Sequence, residues 1–410
     1  MEQVIAIIDL KSFYASCECM ARGLDPFTTP LVCCDPYRGE GTIVMSATPY
    51  LKKKYGVPNV CRKKDLPNVP NMIFAQPRMS FYLQVSARIV SIFLDYVAEE
   101  DLHVYSVDES FLNLGPYLSL YQVRPEEVVQ SIQKRIYKEF GITATAGIGP
   151  NMFLAKTALD QEGKKKPPYI AHWTYEDVPT KLWKIHPITK IWGISSGISS
   201  HLERIGIYSL KELAFAPISL LEEEFGIMGY QLHDMANGID DSNMNEHYVP
   251  KERSLTLGQT LMRFYHKEEG RLLLLEMVDE LCIRLRNENI MTKRVSLSIG
   301  FDDSRWFSKQ RLLPVFSDSP SYLYQALKEL YDESIHNESI RHISIAFSSF
   351  AESDYEQMTL FAEDNRERQL NAALDTIRDC YGANAVHRCS ALQKHSTILM
   401  RHEQIGGHRK

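Results

Sequence analysis

Long apolar runs and cysteine pairs with CxxC spacing are missing from this sequence of 410 residues. No stretch approaches the ~20 apolar residues of a membrane span, and the apolar start at 4–8 is too short for a signal peptide because it ends at Asp9. The eight cysteines include no CxxC pair, so they lack the spacing of metal ligands. We therefore expect a cytoplasmic protein that contacts no membrane and whose thiols are reduced and mostly buried.

An excess of positive charge is also missing, since the formal net charge is −6. A protein that gains affinity by releasing counterions from DNA is usually basic. Any DNA contact must therefore come from local clusters, and three of these occur at 52–54, 62–64 and 164–166. Each cluster alone is more typical of a solvated surface than of a binding site. The acidity predicts only modest affinity for DNA.

The first part of the chain combines short apolar strands with helical spacing. The length predicts two to four domains, and 44% apolar with 24% charged residues is typical of a folded protein. In chain order the pattern predicts a strand at 4–8, a helix at 79–96, strands at 103–107 and 110–114, a helix at 125–140 that Gly141 ends, and a strand at 142–148. This order is typical of a ferredoxin-like split βαβ unit.

The remaining segments differ in character. Residues 27–76 interrupt the first unit with six prolines, which predicts a small irregular insertion, and glycines break the helical patterns of 180–240, which predicts a small helical domain. A polar stretch at 241–253 is typical of a linker. Beyond it, the pattern predicts strands at 255–261, 294–301 and 342–347, helices at 270–288 and 320–334, and a final helix at 366–381 before a polar C-terminus. The sequence therefore predicts an α+β multidomain protein.

Three carboxylates adjoin the strands of the first unit. Asp9 ends the first strand, and Asp108 and Glu109 lie at the bend of the hairpin. Because the first and third strands of a split βαβ sheet are neighbours, we expect all three at one edge. Such charges repel unless a cation lies between them, and Mg²⁺ prefers carboxylate and phosphate oxygens.

Two Mg²⁺ ions, roughly 3.5–4 Å apart, would activate a hydroxyl and stabilise a leaving pyrophosphate. The alternative for either motif alone is structural, with Asp9 as a helix cap and 108–109 as a solvated turn. The two motifs together favour the metal site.

Two segments resemble the signature motifs of the Y-family DNA polymerases, namely IIDLKSFYASCE at 7–18 and YSVDESF at 105–111. The first resembles the UmuC-like branch, which includes the UvrX-type proteins of Gram-positive bacteria. The likeness covers nearly the whole chain. It implies a distributive, low-fidelity polymerase for translesion synthesis, which adds dNTPs to a primer 3′ end opposite damaged template DNA. UmuC-like proteins often have an accessory subunit, and the need for one here stays open.

The resemblance also implies roles for individual residues. Asp9, Asp108 and Glu109 would be catalytic and hold two Mg²⁺ ions (Mn²⁺ is the alternative), together with the backbone carbonyl of Leu10. Tyr14 would be the steric gate, whose ring excludes a 2′-hydroxyl by shape. The residues implied to bind the nucleotide are Phe13, Tyr14, Ser46, Tyr50, Lys53 and Lys156. The family often has arginine at Lys53, and because lysine lacks the bidentate fork, this phosphate contact is expected to be weaker or shared with Lys52.

Without the family resemblance, each of these residues has a structural interpretation. Tyr14 would be a core aromatic on an amphipathic helix, and Lys53 and Lys156 would be surface lysines.

The resemblance further implies a right-hand polymerase. Its parts would be a ferredoxin-like palm at 1–26 and 77–168, small fingers at 27–76, a helical thumb at 169–240, the linker at 241–253, an α+β little finger at 254–350 and a tail with a C-terminal helix at 351–410. ITKIWGISSG at 188–197 resembles the thumb's helix-hairpin-helix, in which Gly193 and Gly197 would let backbone N–H groups approach a DNA phosphate. Ser195 replaces the usual second glycine, and an ordinary helical turn is the alternative.

A short peptide near the C-terminus fits the binding motif for a bacterial sliding clamp. It is QMTLF at 357–361, in which Gln357, Leu360 and Phe361 would anchor in an apolar pocket. Five-residue matches occur by chance, but polar flanking sequence strengthens this one. Tethering to a clamp would hold an acidic enzyme of weak DNA affinity on its template.

Two other functions compete with the polymerase. A nucleotidyl cyclase uses a similar palm with two metal-binding carboxylates, but it would not need the helical domain, the little finger or the clamp peptide. A catalytically idle DNA-binding or regulatory subunit would keep the fold, and the presence of all three carboxylates and Tyr14 argues against it.

Overall fold

The computed structural model describes residues 3–244, 246, 249–335, 338–353 and 365–410, and the chain divides into two compact units after residue 247. This division lies inside the predicted linker, 241–253. In the part of the chain that is described, no helix combines the length and the apolar character needed to cross a bilayer.

The first unit, residues 1–247, mixes short strands and helices. Its strands are β1 (Ile5–Leu10), β2 (Leu31–Cys33), β3 (Ile43–Val44), β4 (Ser46–Ala47), β5 (Cys61–Arg62), β6 (Ile73–Ala75), β7 (Leu102–Val104), β8 (Glu109–Asn113), β9 (Ala144–Gly149) and β10 (Ile170–His172). Its helices are α1 (Phe13–Ala21), α2 (Pro49–Tyr55), α3 (Met79–Phe93), α4 (Gly115–Tyr121), α5 (Pro125–Phe140), α6 (Met152–Ala158), α7 (Asp177–Thr180), α8 (Ser196–Arg204), α9 (Leu210–Ala214), α10 (Ile218–Phe225) and α11 (Ile227–Ala236).

The main sheet of this unit has the order β10-β9-β1-β8-β7. The four strands β9-β1-β8-β7 are antiparallel neighbours, which confirms the predicted ferredoxin-like arrangement. β1 is central, and its apolar residues 5–8 are buried, as expected for a strand covered on both faces. The short β10 pairs with β9 in parallel, so the sheet extends past the predicted palm boundary at 168 into the segment assigned to the thumb.

The proline-rich insertion is more regular than the sequence indicated. β2 pairs with β4 and β6 to form a three-stranded sheet, and β3 pairs with β5. The prediction of an irregular segment was wrong here because strands of two or three residues are too short to show a period of alternation. α2 begins at Pro49 and ends at Tyr55, and its C-cap is Gly56, whose φ of 65° is the left-handed conformation that glycine adopts at low cost.

Residues 177–236 form the predicted small helical region, α7–α11, and its core is continuous with buried residues of α6 and β10. In the segment that resembles a helix-hairpin-helix, the first arm is a single 3₁₀ turn, Ile188–Lys190, and the second is α8. Ser195 is the N-cap of α8, and its hydroxyl accepts a hydrogen bond from the backbone N–H of Ile198. The serine at the expected glycine position therefore caps the N-terminus of α8.

The second unit, residues 248–410, contains the predicted α+β region at 254–350 and also includes the segment predicted as a tail at 351–410. Its strands are β11 (Ser254–Tyr265), β12 (Ile290–Phe301), β13 (Trp306–Ser317), β14 (Ile340–Glu352), β15 (Gln404–Ile405) and β16 (His408–Arg409), and its helices are α12 (Lys267–Asn287), α13 (Pro320–Ser334), α14 (Asn365–Tyr381) and α15 (Ile398–His402). β11-β14-β12-β13 form one sheet, whose apolar residues share a core with α12 and α13. α15 is tied to α12, since Arg401 lies 3.2 Å from Glu280 and 3.6 Å from Glu276.

Candidate active site

Three carboxylate residues from distant parts of the chain lie together at one edge of the main sheet. Asp9 on β1 is the direct cross-strand partner of Glu109 on β8. The backbone N–H of Leu10 donates to the carbonyl oxygen of Asp108 at 2.9 Å. The pairing of β1 with β8 thus brings together residues about a hundred positions apart, as the topology predicted.

Two lysines provide the positive charge next to these carboxylates. Lys156 Nζ lies 2.6 Å from Glu109, and Lys164 Nζ lies 2.9 Å from Asp9 and 3.5 Å from Glu109. Asp160 pairs with both ammonium groups, at 3.5 Å from Lys156 Nζ and 2.8 Å from Lys164 Nζ. Lys156 is among the residues predicted from the sequence, whereas Lys164 belongs to a run of lysines typical of a solvated surface and Asp160 was not predicted. The spacing of four residues between 156, 160 and 164 was the signal that could have identified them.

Gly147 allows the helix that carries Lys156 to lie close to the sheet. A Cβ atom on this β9 residue would lie 2.0 Å from the carbonyl oxygen of Ala155 in α6. Only glycine accepts so close an approach of two backbones. The lysine therefore reaches Glu109 because the strand beneath its helix carries no side chain at this point.

The charged groups of the site shift the pKa values of their neighbours. Burial raises the pKa of the Asp108 carboxyl; a hydrogen bond from Ser106 Oγ at 2.9 Å opposes this rise, and the charge of Glu109 adds to it. Burial lowers the pKa of Lys164, but the charges of Asp9 and Asp160 outweigh it and raise the pKa overall. The carboxylates thus favour a positive charge beside them, and the ammonium of Lys164 supplies one.

The donor atoms fit a hard divalent cation. Asp9, Asp108 and Glu109 offer only oxygen atoms as ligands. The ammonium of Lys164 pairs with both Asp9 and Glu109, where a metal ion would also be bound. Among the described residues, however, no group of three His, Cys, Asp or Glu side chains is arranged to hold a metal ion. The chemistry of the donors fits Mg²⁺, and the lysine is the counter-ion in this conformation.

Tyr14 is the second residue of α1, the helix that follows the turn after β1. The turn includes Ser12, whose φ of 50° is unusual for a residue other than glycine. The Tyr14 ring is half-buried, with ring centroids 5.7 Å from Phe13 and 4.8 Å from Tyr82. Burial raises the pKa of Tyr14, and the nearby charge of Asp108 adds to the rise. Phe13 itself is buried in the core, at 2% exposure.

The other predicted nucleotide contacts lie in the insertion. Ser46 is buried on β4, whereas Lys53 on α2 is exposed, and Tyr50 accepts a hydrogen bond from Lys54 at 2.9 Å. Lys52 is the α2 lysine that interacts electrostatically with Asp9 and Asp108. Burial nevertheless keeps the pKa of Lys52 below its usual value. Lys52, which was expected to share the phosphate contact of Lys53, therefore lies in the electrostatic field of the carboxylates.

The predicted DNA and clamp contacts differ in what the structure shows. Gly193 has a φ of 92°, which only glycine adopts easily, and a Cβ there would lie 3.0 Å from the side chain of Met235. Gly197 lies in the first turn of α8. The clamp peptide, with Gln357, Leu360 and Phe361, lies outside the described residues.

An open hollow of about 270 Å³ lies next to the helical region. Its lining includes the four lysines Lys165, Lys181, Lys184 and Lys190, together with the carboxylate of Glu162 and the buried Trp173. Lys181 is paired with Asp177 at 3.1 Å. In a protein with a net charge of −6, this hollow is a local concentration of positive charge.

Comparison with known proteins gives consistent matches over both units. The impB/mucB/samB family matches residues 8–160, and the C-terminal domain of that family matches residues 252–360. A Bacillus subtilis protein that carries the name UV-damage repair protein UvrX is 36% identical over 99% of this chain and 97% of its own. DNA polymerase IV 2 of the same organism is 32% identical over 100% of this chain and 99% of its own. A solved Y-family DNA polymerase chimera of Dbh and Dpo4 has a similar fold, with a TM-score of 0.66 at 21% identity over 84% of this chain and 98% of that chain.

Proposed function

This chain belongs to the impB/mucB/samB family of Y-family, UmuC-like DNA polymerases, and we propose that it performs translesion synthesis, extending a primer opposite damaged template DNA by a two-metal mechanism. The observation that carries the mechanism is the meeting of Asp9 with Glu109, and of Leu10 with Asp108, at one sheet edge. Asp9, Asp108, Glu109 and the Leu10 carbonyl would hold the ions. When bound, two Mg²⁺ ions activate the primer hydroxyl and neutralise charge on the leaving pyrophosphate.

The chain's own cations would orient the triphosphate. Lys156 and Lys164 already lie within 3.5 Å of Glu109, so a triphosphate at the carboxylates is within reach of both ammonium groups. Lys52, which interacts electrostatically with Asp9 and Asp108, would also bind the triphosphate. Ser46, Tyr50 and Lys53 of the same insertion would contribute further contacts. Tyr14, with its ring half-buried, would lie under the sugar and exclude a 2′-hydroxyl by shape.

We propose that DNA is held through its backbone by the helical region. Gly193 and Gly197 would admit a phosphate close to backbone N–H groups, and the lysines of the hollow would add charge. Replacing Lys184 and Lys190 by alanine is expected to weaken duplex binding and to make the slope of log K against log salt shallower by about 1 per lysine. Binding isotherms at several salt concentrations measure this slope.

The matched control for that experiment is the double change Lys134→Ala and Lys138→Ala, two exposed lysines on α5. It removes the same charge from a different surface. If both pairs change the slope equally, the effect is one of net charge, and the hollow is not a DNA contact.

The proposed lesion bypass is tested by primer extension on paired templates, one undamaged and one with an abasic site. We expect insertion opposite the abasic site that stops after few additions, because an acidic enzyme with modest DNA affinity dissociates often. Extension of the undamaged template with a complete stop before the abasic site would contradict translesion synthesis.

A bacterial sliding clamp in the same assay tests recruitment through the peptide at 357–361. We expect longer products with the clamp, and loss of that gain in Leu360→Ala/Phe361→Ala with unchanged activity in its absence. Equal stimulation of the wild type and the variant would show that the peptide is not the tether.

A further inference from the structure

A buried polar cluster lies behind Tyr14, and the proposed chemistry does not use it. Its centre is Tyr82 on α3, which is fully buried and whose ring centroid lies 4.8 Å from that of Tyr14, with an angle of 32° between the rings. The hydroxyl of Tyr82 donates to Glu18 Oε1 at 2.8 Å and lies 3.1 Å from Cys33 Sγ. Tyr82 therefore forms the rear support of the Tyr14 ring and is itself fixed by Glu18.

Glu18 is a carboxylate without any exposed surface, which is costly unless its charge is matched. Arg78 donates to it through Nε at 2.9 Å and Nη2 at 3.1 Å, and Arg22 forms a further ion pair with it. Burial raises the pKa of Glu18, but the hydrogen bonds from Arg78, Arg22 and Tyr82 outweigh it and lower the pKa overall. The carboxylate is thus ionised and held by fixed donors on several sides.

The cluster ties together the elements that surround Tyr14. Glu18 lies four residues after Tyr14 on α1, so the two side chains share one face of that helix. Arg78 immediately precedes α3, four residues before Tyr82. One carboxylate on α1 therefore fixes both the start of α3 and the ring that backs Tyr14.

We propose that Glu18, together with Arg78, is a positioning residue for sugar selection, because it holds Tyr82 rigidly behind Tyr14. This inference rests on the proposed role of Tyr14 as the steric gate. Discrimination by shape requires the Tyr14 ring to stay in place, and a displacement of this ring by well under 1 Å would matter. A Tyr14 ring free to retreat would admit the 2′-hydroxyl of a ribonucleotide.

The experiment measures kcat and KM for one matched dNTP and the corresponding ribonucleotide in the full-length protein. Glu18→Gln is expected to lower the ratio of kcat/KM for the dNTP to that for the ribonucleotide by about three- to tenfold, the scale of one lost hydrogen bond. The change should appear as a lower KM for the ribonucleotide, with kcat for the dNTP within about twofold of the wild type. Tyr82→Phe, which removes one oxygen atom and keeps the ring, is expected to act in the same direction and carries the test if Glu18→Gln does not fold.

Two further variants make the result specific. Glu276→Gln alters another buried carboxylate, paired with Arg401 in the second unit, and is expected to lower the melting temperature without changing the ratio. Tyr14→Ala is expected to lower the ratio about 10- to 100-fold. If Tyr14→Ala lowers the ratio while Glu18→Gln and Tyr82→Phe do not change it, the proposed positioning role is wrong and the role of Tyr14 as the steric gate is supported. If Tyr14→Ala itself leaves the ratio unchanged, the proposed gate fails and the inference fails with it.

Discussion

Replacing Asp108 and Glu109 together by alanine is expected to lower template-directed primer extension about 10³-fold or more, while DNA affinity stays within about threefold. Both residues lie at the edge where β1 meets β8, and Glu109 is the cross-strand partner of Asp9. Without them, only Asp9 and the Leu10 carbonyl would be left to hold the ions, and the charge that develops on the reacting phosphate would not be neutralised. Single-turnover extension with Mg²⁺ and a separate DNA-binding isotherm measure the two quantities.

The matched control is Glu99→Ala/Glu100→Ala, which removes two exposed carboxylates from the turn just before β7. It changes the net charge by the same amount and is expected to extend primers at the wild-type rate. Extension by the Asp108 and Glu109 variant within about tenfold of the wild type would show that the chemistry occurs elsewhere. A parallel loss in the control would point to a charge effect rather than to the site.

Replacing Lys164 by methionine is expected to raise the KM for dNTPs about 30-fold or more, with a smaller change in kcat. Lys164 bridges Asp9, Glu109 and Asp160 at 2.8–3.5 Å, so its ammonium is positioned to meet the triphosphate at the carboxylates. Removing an ammonium group that contacts a charged group of the ligand typically costs this much affinity. Steady-state kinetics with a single dNTP on a matched template measure both constants.

Lys166→Met is the control for this change, because Lys166 belongs to the same run of lysines and is exposed. We expect it to leave the KM for dNTPs unaltered. A different role for Lys164 would give a different pattern: if it only balances the charge of the carboxylates, Lys164→Met would tighten Mg²⁺ binding in a direct titration and leave the KM unchanged. That pattern would contradict a triphosphate contact.

The parts of this molecule that the sequence predicted are those with strong local signals. The α5 helix begins at Pro125 and ends before Gly141 as predicted, because proline and glycine mark helix ends by their own conformational limits. The order of strands and helices then implied that β1 and β8 are neighbours in the sheet. Because Asp9 and Glu109 lie at the ends of these strands, their proximity could also be predicted from the sequence.

The elements that the sequence missed lack a local signal. β13 is an edge strand with Pro314 and alternating charged residues, and an edge tolerates a proline that a central strand does not. β10 has three residues, too few for a period. α1 was not separated from the motif that contains it. In each case the pairing or packing partner, rather than the segment itself, determines the structure.

The missed residues of the site are those whose role depends on tertiary contacts. Lys164 lies in a run of lysines that looks like a solvated surface until β9 and α6 bring it to Asp9. Glu18 and Tyr82 are 64 positions apart and meet only because α1 packs against α3. Exposure distinguishes Lys52 from Lys53, and it follows from how α2 lies on its sheet.

The measurement that tests the central claim most directly is single-nucleotide insertion by the wild-type protein on four templates that differ only in the base to be copied. With Mg²⁺ and each dNTP supplied separately, insertion should follow the complementary base, proceed slowly and stop when Mg²⁺ is chelated. Template-independent addition would contradict the claim that the carboxylates at the β1–β8 edge perform templated nucleotidyl transfer. Absence of any insertion, with DNA still bound, would favour a catalytically idle protein that keeps the polymerase fold.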